Sequence, residues 1–437
     1  AVDYARATIA QAEPADASLD NWIKAADNPI IDGRPAGLSD DFRDPYFFRN
    51  GDNAYIIVGT AKGGKGAATL HRYDAASGKW SNNGDIFFSA GDAATDGTFW
   101  EMPNITQMPD GRWLFTATPM GTSRGVRTLY WTGSIAADGT FVPDAGRATP
   151  RTVEMESREG FGLLSPTIYR HDGKTIAMGI VPDKLPSADN WNLGWAHCYS
   201  LPREWRLDAD GTLLQKPYEG LAGLRTETSC SRSNIKLDGE LTLDPVRGRA
   251  LELCATFEAG SAAFGFQIFK SAAAEGTISY NPSTGELTAD FSRLTRLVND
   301  GGVYDGVYRC TLPERIAAGA QVKLDVWVDH SIVDIFVNDK WATSIRIFAT
   351  DAQADGTAVF ADGPTTVGEL NAWVLKDPRP GSGIGDVIAD GKETDGAFVD
   401  VYDIAGVRIR SGVARDKATV GLPAGIYIAG GRKVAVR

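Results

Sequence analysis

The sequence predicts an all-β protein, with consecutive antiparallel blades of a β-propeller or barrel, then a β-sandwich, then a small β tail. Three observations carry this. Short apolar runs broken by turn signals fill residues 42–215, and helical periodicity is scarce. Glycine (49 of 437 residues) and tryptophan (11) are abundant, as in all-β chains with many tight turns.

Residues 1–30 hold a short helix-permissive stretch, then Asn21-Trp22-Ile23-Lys24 and Asn28-Pro29-Ile30. The apolar runs that follow include Tyr55-Ile56-Ile57-Val58, Trp113-Leu114-Phe115, Thr128-Leu129-Tyr130-Trp131 and Thr175-Ile176-Ala177-Met178. They are separated by Asp110-Gly111, Asp138-Gly139, Asp172-Gly173 and Asp210-Gly211. Asp-Gly suits a tight hairpin because both residues tolerate positive φ.

A second β region runs from about 222 to 376. Lys323–Val328 alternates, and Ile332–Val337 follows after Asp329-His330-Ser331, which reads as a hairpin with one face buried. Strand-like neighbours at 250–254, 264–269 and 344–348 point to a sandwich. The expected domains are 1–218, a propeller; 219–376, a sandwich; 377–384, a Pro/Gly linker; and 385–437, a small β module with little core.

The net charge of −12 argues against nucleic acid or an anionic membrane as partner and suits a neutral or weakly polar ligand. No apolar run of membrane-spanning length exists. The chain begins at Ala1 without Met or a signal-like stretch, which reads as processing, trimming or excision from a longer protein. Cys198, Cys230, Cys254 and Cys310 leave two readings open, one or two disulfides or buried thiols. His71, His171, His197 and His330 form no ligand-spaced cluster, so neither metal nor cofactor is expected.

Chemistry concentrates in two acidic motifs, Phe42-Arg43-Asp44-Pro45 and Trp100-Glu101-Met102-Pro103-Asn104. Each sets a carboxylate near a proline at a strand end, about one blade apart. Glycoside cleavage uses carboxyl groups in different protonation states around one sugar ring. Taken alone, the same residues also read as a structural ion pair and a solvated strand end.

With these motifs, the chain resembles glycoside hydrolase family 32, the β-fructosidases, over roughly residues 8–376. Trp22-Ile23-Lys24 with Asn28-Pro29-Ile30 is similar to a family stretch ahead of its Arg-Asp-Pro motif. Trp100–Asn104 resembles the Glu-Cys-Pro motif, with Met102 at the Cys position. Gly194-Trp195-Ala196 and Ser200-Leu201-Pro202-Arg203-Glu204 resemble a last-blade stretch; Leu214–Pro217 and Leu224-Arg225 look like the exit to the sandwich. Val328–Asn338 is similar to the sandwich signature.

The resemblance implies a five-bladed β-propeller followed by a β-sandwich, and a secreted, periplasmic or cell-surface enzyme. It would hydrolyse β-fructofuranosyl linkages of oligo- or polysaccharides with retention. Glu101 would be the general acid/base, held protonated by a desolvating wall of Trp100 and Met102. Asp44 would grip fructose hydroxyls and stabilise the transition state. Arg43, Phe42 and Trp100 would bind substrate. A non-catalytic fructan-binding protein and a fructosyltransferase are the alternatives.

Two departures stand out. The family's nucleophile, in an Asn-Asp-Pro-Asn-Gly motif, has no match among the 43 residues before Asp44. N-terminal blades are therefore expected from a missing segment or a second chain. Where the family carries Asp-Phe-Tyr-Ala, this chain reads Gly160-Phe161-Gly162-Leu163-Leu164-Ser165, so the pocket beyond the fructose site should be unusual. The tail, with Val401–Gly406, Leu422–Ile428 and Lys433-Val434, resembles the C-terminal sorting or accessory β-domains of secreted Bacteroidetes proteins.

Overall fold

Glycine and Asp-Gly turns set the hairpins in this computed structural model. It describes residues 7–17, 19–122, 127–157, 162–182, 185, 190–191, 196–294, 306–349, 351, 353–376, 398–403, 408–423, 425–430 and 432–436. Gly160-Phe161, Gly194-Trp195, the expected linker 377–384 and Ile404-Ala405-Gly406 lie outside them. The chain divides into two units, Ala1–Leu375 and Lys376–Arg437.

A hairpin of β1 (Ala12–Pro14) and β2 (Trp22–Lys24) comes first, with every side chain exposed. The first blade contains β3 (Arg43–Asn50), β4 (Asn53–Lys62), β5 (Lys65–Asp74), β6 (Lys79–Trp80) and β7 (Ile86–Ser89). Gly63 and Gly64, at φ 59° and 77°, turn β4 into β5 by the two-residue loop whose twist matches the strands. After a helical turn, α1 (Ala93–Asp96), the second blade contains β8 (Phe99–Gln107), β9 (Trp113–Met120), β10 (Leu129–Ile135), β11 (Phe141–Pro143) and β12 (Arg151–Thr152). The third contains β13 (Leu164–His171), β14 (Lys174–Val181), β15 (Cys198–Tyr199), β16 (Arg203–Leu207) and β17 (Leu213–Pro217). The described residues thus form three blades.

The blades stack through apolar faces. Phe48, Phe87, Trp100, Phe115 and Trp131 fill the space between first and second; Leu114, Tyr130, Leu163 and Trp205 fill that between second and third. The two outward faces are less covered. Phe47 on the first blade is 51% exposed, and Tyr169 on the third 66%.

The sandwich contains β18 (Arg225–Thr242), β19 (Ala250–Glu258), β20 (Phe264–Lys270), β21 (Gly276–Asn281), β22 (Glu286–Asp290), β23 (Val307–Thr311), β24 (Gln321–Asp329), β25 (Ile332–Val337), β26 (Trp341–Arg346) and β27 (Gly356–Leu375). The long β27 pairs with β20 through its first half and with β19 through its second, so one strand serves both layers. The tail unit is a four-stranded sheet of β28 (Phe398–Asp403), β29 (Arg408–Ala414), β30 (Gly425–Ala429) and β31 (Arg432–Val436), closed over Val399 and Val401. All four cysteines are free thiols.

One expectation is corrected. The β24–β25 hairpin buries both faces, because its second face packs on the propeller. There the fully buried Arg203 of β16 donates to Glu154 (2.9 Å), Asp334 (2.7 Å) and Ser344 (2.5 Å). Glu154 also accepts from the Leu163 N–H, and Asp334 from the Leu201 N–H. One cation therefore joins the second blade's exit, the third blade and the sandwich.

Breaking such a pair strands buried charge, which costs about 3–5 kcal/mol. Arg203→Ala should lower the unfolding free energy by about that much, measured by urea denaturation; a loss below 1 kcal/mol would show that the contacts are not stabilising.

Another buried carboxylate, Asp325, is pushed up to about 7, first by burial and then by the charge of Glu252. Its raised value means that the folded state holds this proton more tightly than the unfolded chain does. That stabilisation is full below about pH 4 and lost as pH rises through 7. Asp325→Asn should therefore gain stability over wild type between pH 4 and 8, by up to a few kcal/mol. A difference that does not change with pH, followed by thermal unfolding, would contradict this.

Candidate active site

The inner strands β3, β8 and β13 lie side by side, with β8 between the other two. Each breaks its ladder at the same place. The register shifts between Arg43 and Tyr46, between Glu101 and Asn104, and between Leu164 and Thr167. In each bulge a residue with positive φ precedes a proline: Asp44 (62°), Met102 (46°) and Ser165 (47°). Proline pushes the preceding residue towards extended backbone, and αL is strained for side chains such as methionine, so each bulge departs from the local preference. Such strain, about 1–3 kcal/mol per residue, tends to collect at functional sites.

The first two bulges interlock. The Met102 N–H donates to Asp44 Oδ2 at 3.0 Å. Gly59 lets the blades approach, since a Cβ there would lie 2.4 Å from the Trp100 carbonyl oxygen. Arg43 bridges the two carboxylates, its Nη2 donating to Glu101 Oε1 at 2.7 Å and its Nε lying 3.9 Å from Asp44 Oδ2. Its Nη1 donates to Asp41, and its guanidinium lies over the Phe99 ring, 4.6 Å from the centroid. Burial acts to lower the Arg43 pKa; the Glu101 hydrogen bond and the charges of Asp41, Glu101 and Asp44 outweigh it and raise it. The side chains of Arg43, Asp44 and Glu101 are all part-exposed, so a polar ligand can reach them.

The expected roles of Phe42 and Trp100 meet a different placement. Trp100 is fully buried between blades, with its indole N–H on the Asp96 carbonyl. Successive strand residues face opposite ways, so Trp100 points into the core where Glu101 points out. Phe42 is buried against Ile56 and Val58, edge-on to His71. Neither side chain is a sugar platform, and Trp100 is not the expected wall beside Glu101. Met102 is partly exposed.

The third bulge, Leu164-Ser165-Pro166, carries no ionisable side chain. Its Ser165 N–H donates to Thr118 Oγ1, and Thr118 pairs across the ladder with Glu101. Sequence reasoning missed this bulge, although the recurring residue-before-proline at inner-strand starts signals it. It also missed Asp41 and Phe99 around Arg43. Among the described residues no group of three or more His, Cys, Asp or Glu is arranged to hold a metal. A groove of about 580 Å3, lined by none of Arg43, Asp44 and Glu101, lies between the first blade's outward face (Phe47, Tyr73, Trp80) and the segment at Ile9–Ala12.

Asp44 thus holds a bulge as well as facing the cleft. Asp44→Asn keeps an acceptor for the Met102 N–H, whereas Asp44→Ala leaves it without one. Ala should cost about 0.5–1.5 kcal/mol more than Asn in chemical denaturation, because water can reach this exposed N–H. Equal stabilities would show that the bond contributes nothing.

Comparison with known proteins follows the same division of the chain. The profile described as "Glycosyl hydrolases family 32 N-terminal domain" matches residues 5–217, and "Glycosyl hydrolases family 32 C terminal" matches 220–374. A sucrose-6-phosphate hydrolase of Staphylococcus xylosus is 28% identical over 374 residues, covering 83% of this chain and 70% of its own. A levanase of Bacillus subtilis is 25% identical over 373 residues, 81% of this chain and 53% of its own. The crystal structure of fructan 1-exohydrolase IIa from Cichorium intybus superposes with a TM-score of 0.71 at 21% identity, covering 86% of this chain and 80% of that one. A variant of that enzyme has been crystallised with 1-kestose.

Proposed function

The chain belongs to glycosyl hydrolases family 32, and from that premise we propose that it hydrolyses β-fructofuranosyl linkages in a fructose-containing oligo- or polysaccharide. The observation that carries the reading is one guanidinium shared by two carboxylates from adjacent inner strands. Glu101 donates a proton to the departing glycosidic oxygen and later takes one from water. Asp44 grips fructose hydroxyls and favours the oxocarbenium-like charge electrostatically. Arg43 positions both carboxylates.

Retention needs a further carboxylate, the nucleophile, on the opposite face of the ring. We place it on a segment beyond the described residues, in the same polypeptide or a second one, that covers the outward faces of the blades. The exposed Phe47 and Tyr169 and the greater length of the relatives support this. The tail's resemblance supports a location outside the cytoplasm, secreted, periplasmic or at the cell surface.

With the ring-completing segment present, Glu101→Gln should cut turnover of sucrose or inulin by at least about 10²-fold, as loss of a general acid does. Fructosides with a good leaving group should lose less in the first step. Equal turnover by wild type and variant would refute the role. The isolated 437-residue polypeptide should release no fructose. Release abolished by Asp44→Asn would place the nucleophile within it. Fructan binding without turnover, even with the segment added, would identify a binding protein.

A further inference from the structure

We propose that Phe99 and Asp41 are positioning residues that hold Arg43 in the orientation from which its guanidinium reaches both Asp44 and Glu101. The geometry stands by itself; only the effect on turnover rests on the glycosidase reading.

An arginine side chain has many rotamers, and ordering it loses up to most of that freedom. Arg43 is part-exposed, at 39%, so packing alone does not fix it. Two contacts do. The Phe99 ring is itself buried (8% exposed), so the plane it offers the guanidinium is fixed. Asp41 takes Nη1, which leaves Nη2 for Glu101 and Nε towards Asp44.

Strand alternation explains the spacing. Phe99 and Glu101 are two apart on β8, so they share a face, with the ring one step below the carboxylate. Asp41 lies just before β3, two residues ahead of Arg43, within reach of its guanidinium. Asp41-x-Arg43 and Phe99-x-Glu101 are therefore a matched pair, one supplying the cation and its tether, the other its platform and its target. Loss of either contact frees the guanidinium to turn and to release one carboxylate.

The test begins with the whole chain labelled with 15N and 13C at arginine, the Arg43 signals being assigned by their loss in Arg43→Lys. The wild type should show separate Nη resonances, the signature of a guanidinium held against rotation. Asp41→Ala and Phe99→Leu should each merge them, and Phe99→Tyr should keep them apart. In the ring-completed enzyme, Phe99→Leu should lower kcat roughly ten- to a hundredfold with a smaller change in KM, the mark of misplacement rather than lost binding. Phe99→Tyr should restore it.

Resonances unchanged in Asp41→Ala and Phe99→Leu would overturn the proposal, as would unchanged kcat. If Phe99→Leu fails to fold, Asp41→Ala at its exposed position decides alone. If the resonances merge but the wild type turns over no fructoside, the positioning role stands and the glycosidase reading falls.

Discussion

The close approach of the inner strands is the constraint on which the site depends. Gly59 of β4 has no room for a Cβ against the Trp100 carbonyl of β8, and neither β3 nor β8 keeps a regular ladder. Each bulges at a strained residue before a proline, and the bulge turns one carboxylate-bearing strand end towards the next. Asp44 then accepts from the Met102 N–H, and Arg43 reaches across to Glu101. The residues proposed for the chemistry also tie the two blades together, Asp44 through the Met102 N–H and Glu101 through Arg43.

Further out, the third blade is secured by a different device. Arg203 has no access to solvent and shares its donors among side chains from the second blade's exit, the third blade and the sandwich. Buried ion pairs add little net stability over apolar packing, but they penalise any arrangement that separates their members. Here that selects one docking of the sandwich on the propeller. The apolar patch of Trp327, Phe336 and Ala342 against Leu201 and Leu221 adds area to the same contact.

Much of this was legible in the sequence. Asp172-Gly173 sits at positive φ in the β13–β14 hairpin, as its composition requires, and the alternation at 323–337 became β24 and β25. The two acidic motifs were found because their residue types are unusual beside proline. Other features depended on distant residues. Asp334 reads as an outward polar position, and only Arg203, 131 residues earlier, makes it an inward one. Trp100 stands beside Glu101 in its motif but on the opposite face, because period-two alternation separates them, and Phe42, just before β3, turns into the core with Ile56 and Val58. Asp41 and Phe99 left no signal, since where a guanidinium lies is set by contacts between strands.

The central claim is that Asp44 and Glu101 face one fructosyl group across the seam between the first and second blades. A crystal structure of the ring-completed protein, carrying Glu101→Gln and soaked with a β-fructoside, bears on it most directly. The expected result is a fructosyl ring whose hydroxyls bond Asp44, with the side chain at position 101 within hydrogen-bond reach of the glycosidic oxygen. A ligand seated instead in the Phe47–Trp80 groove, with Asp44 and position 101 untouched, would contradict it.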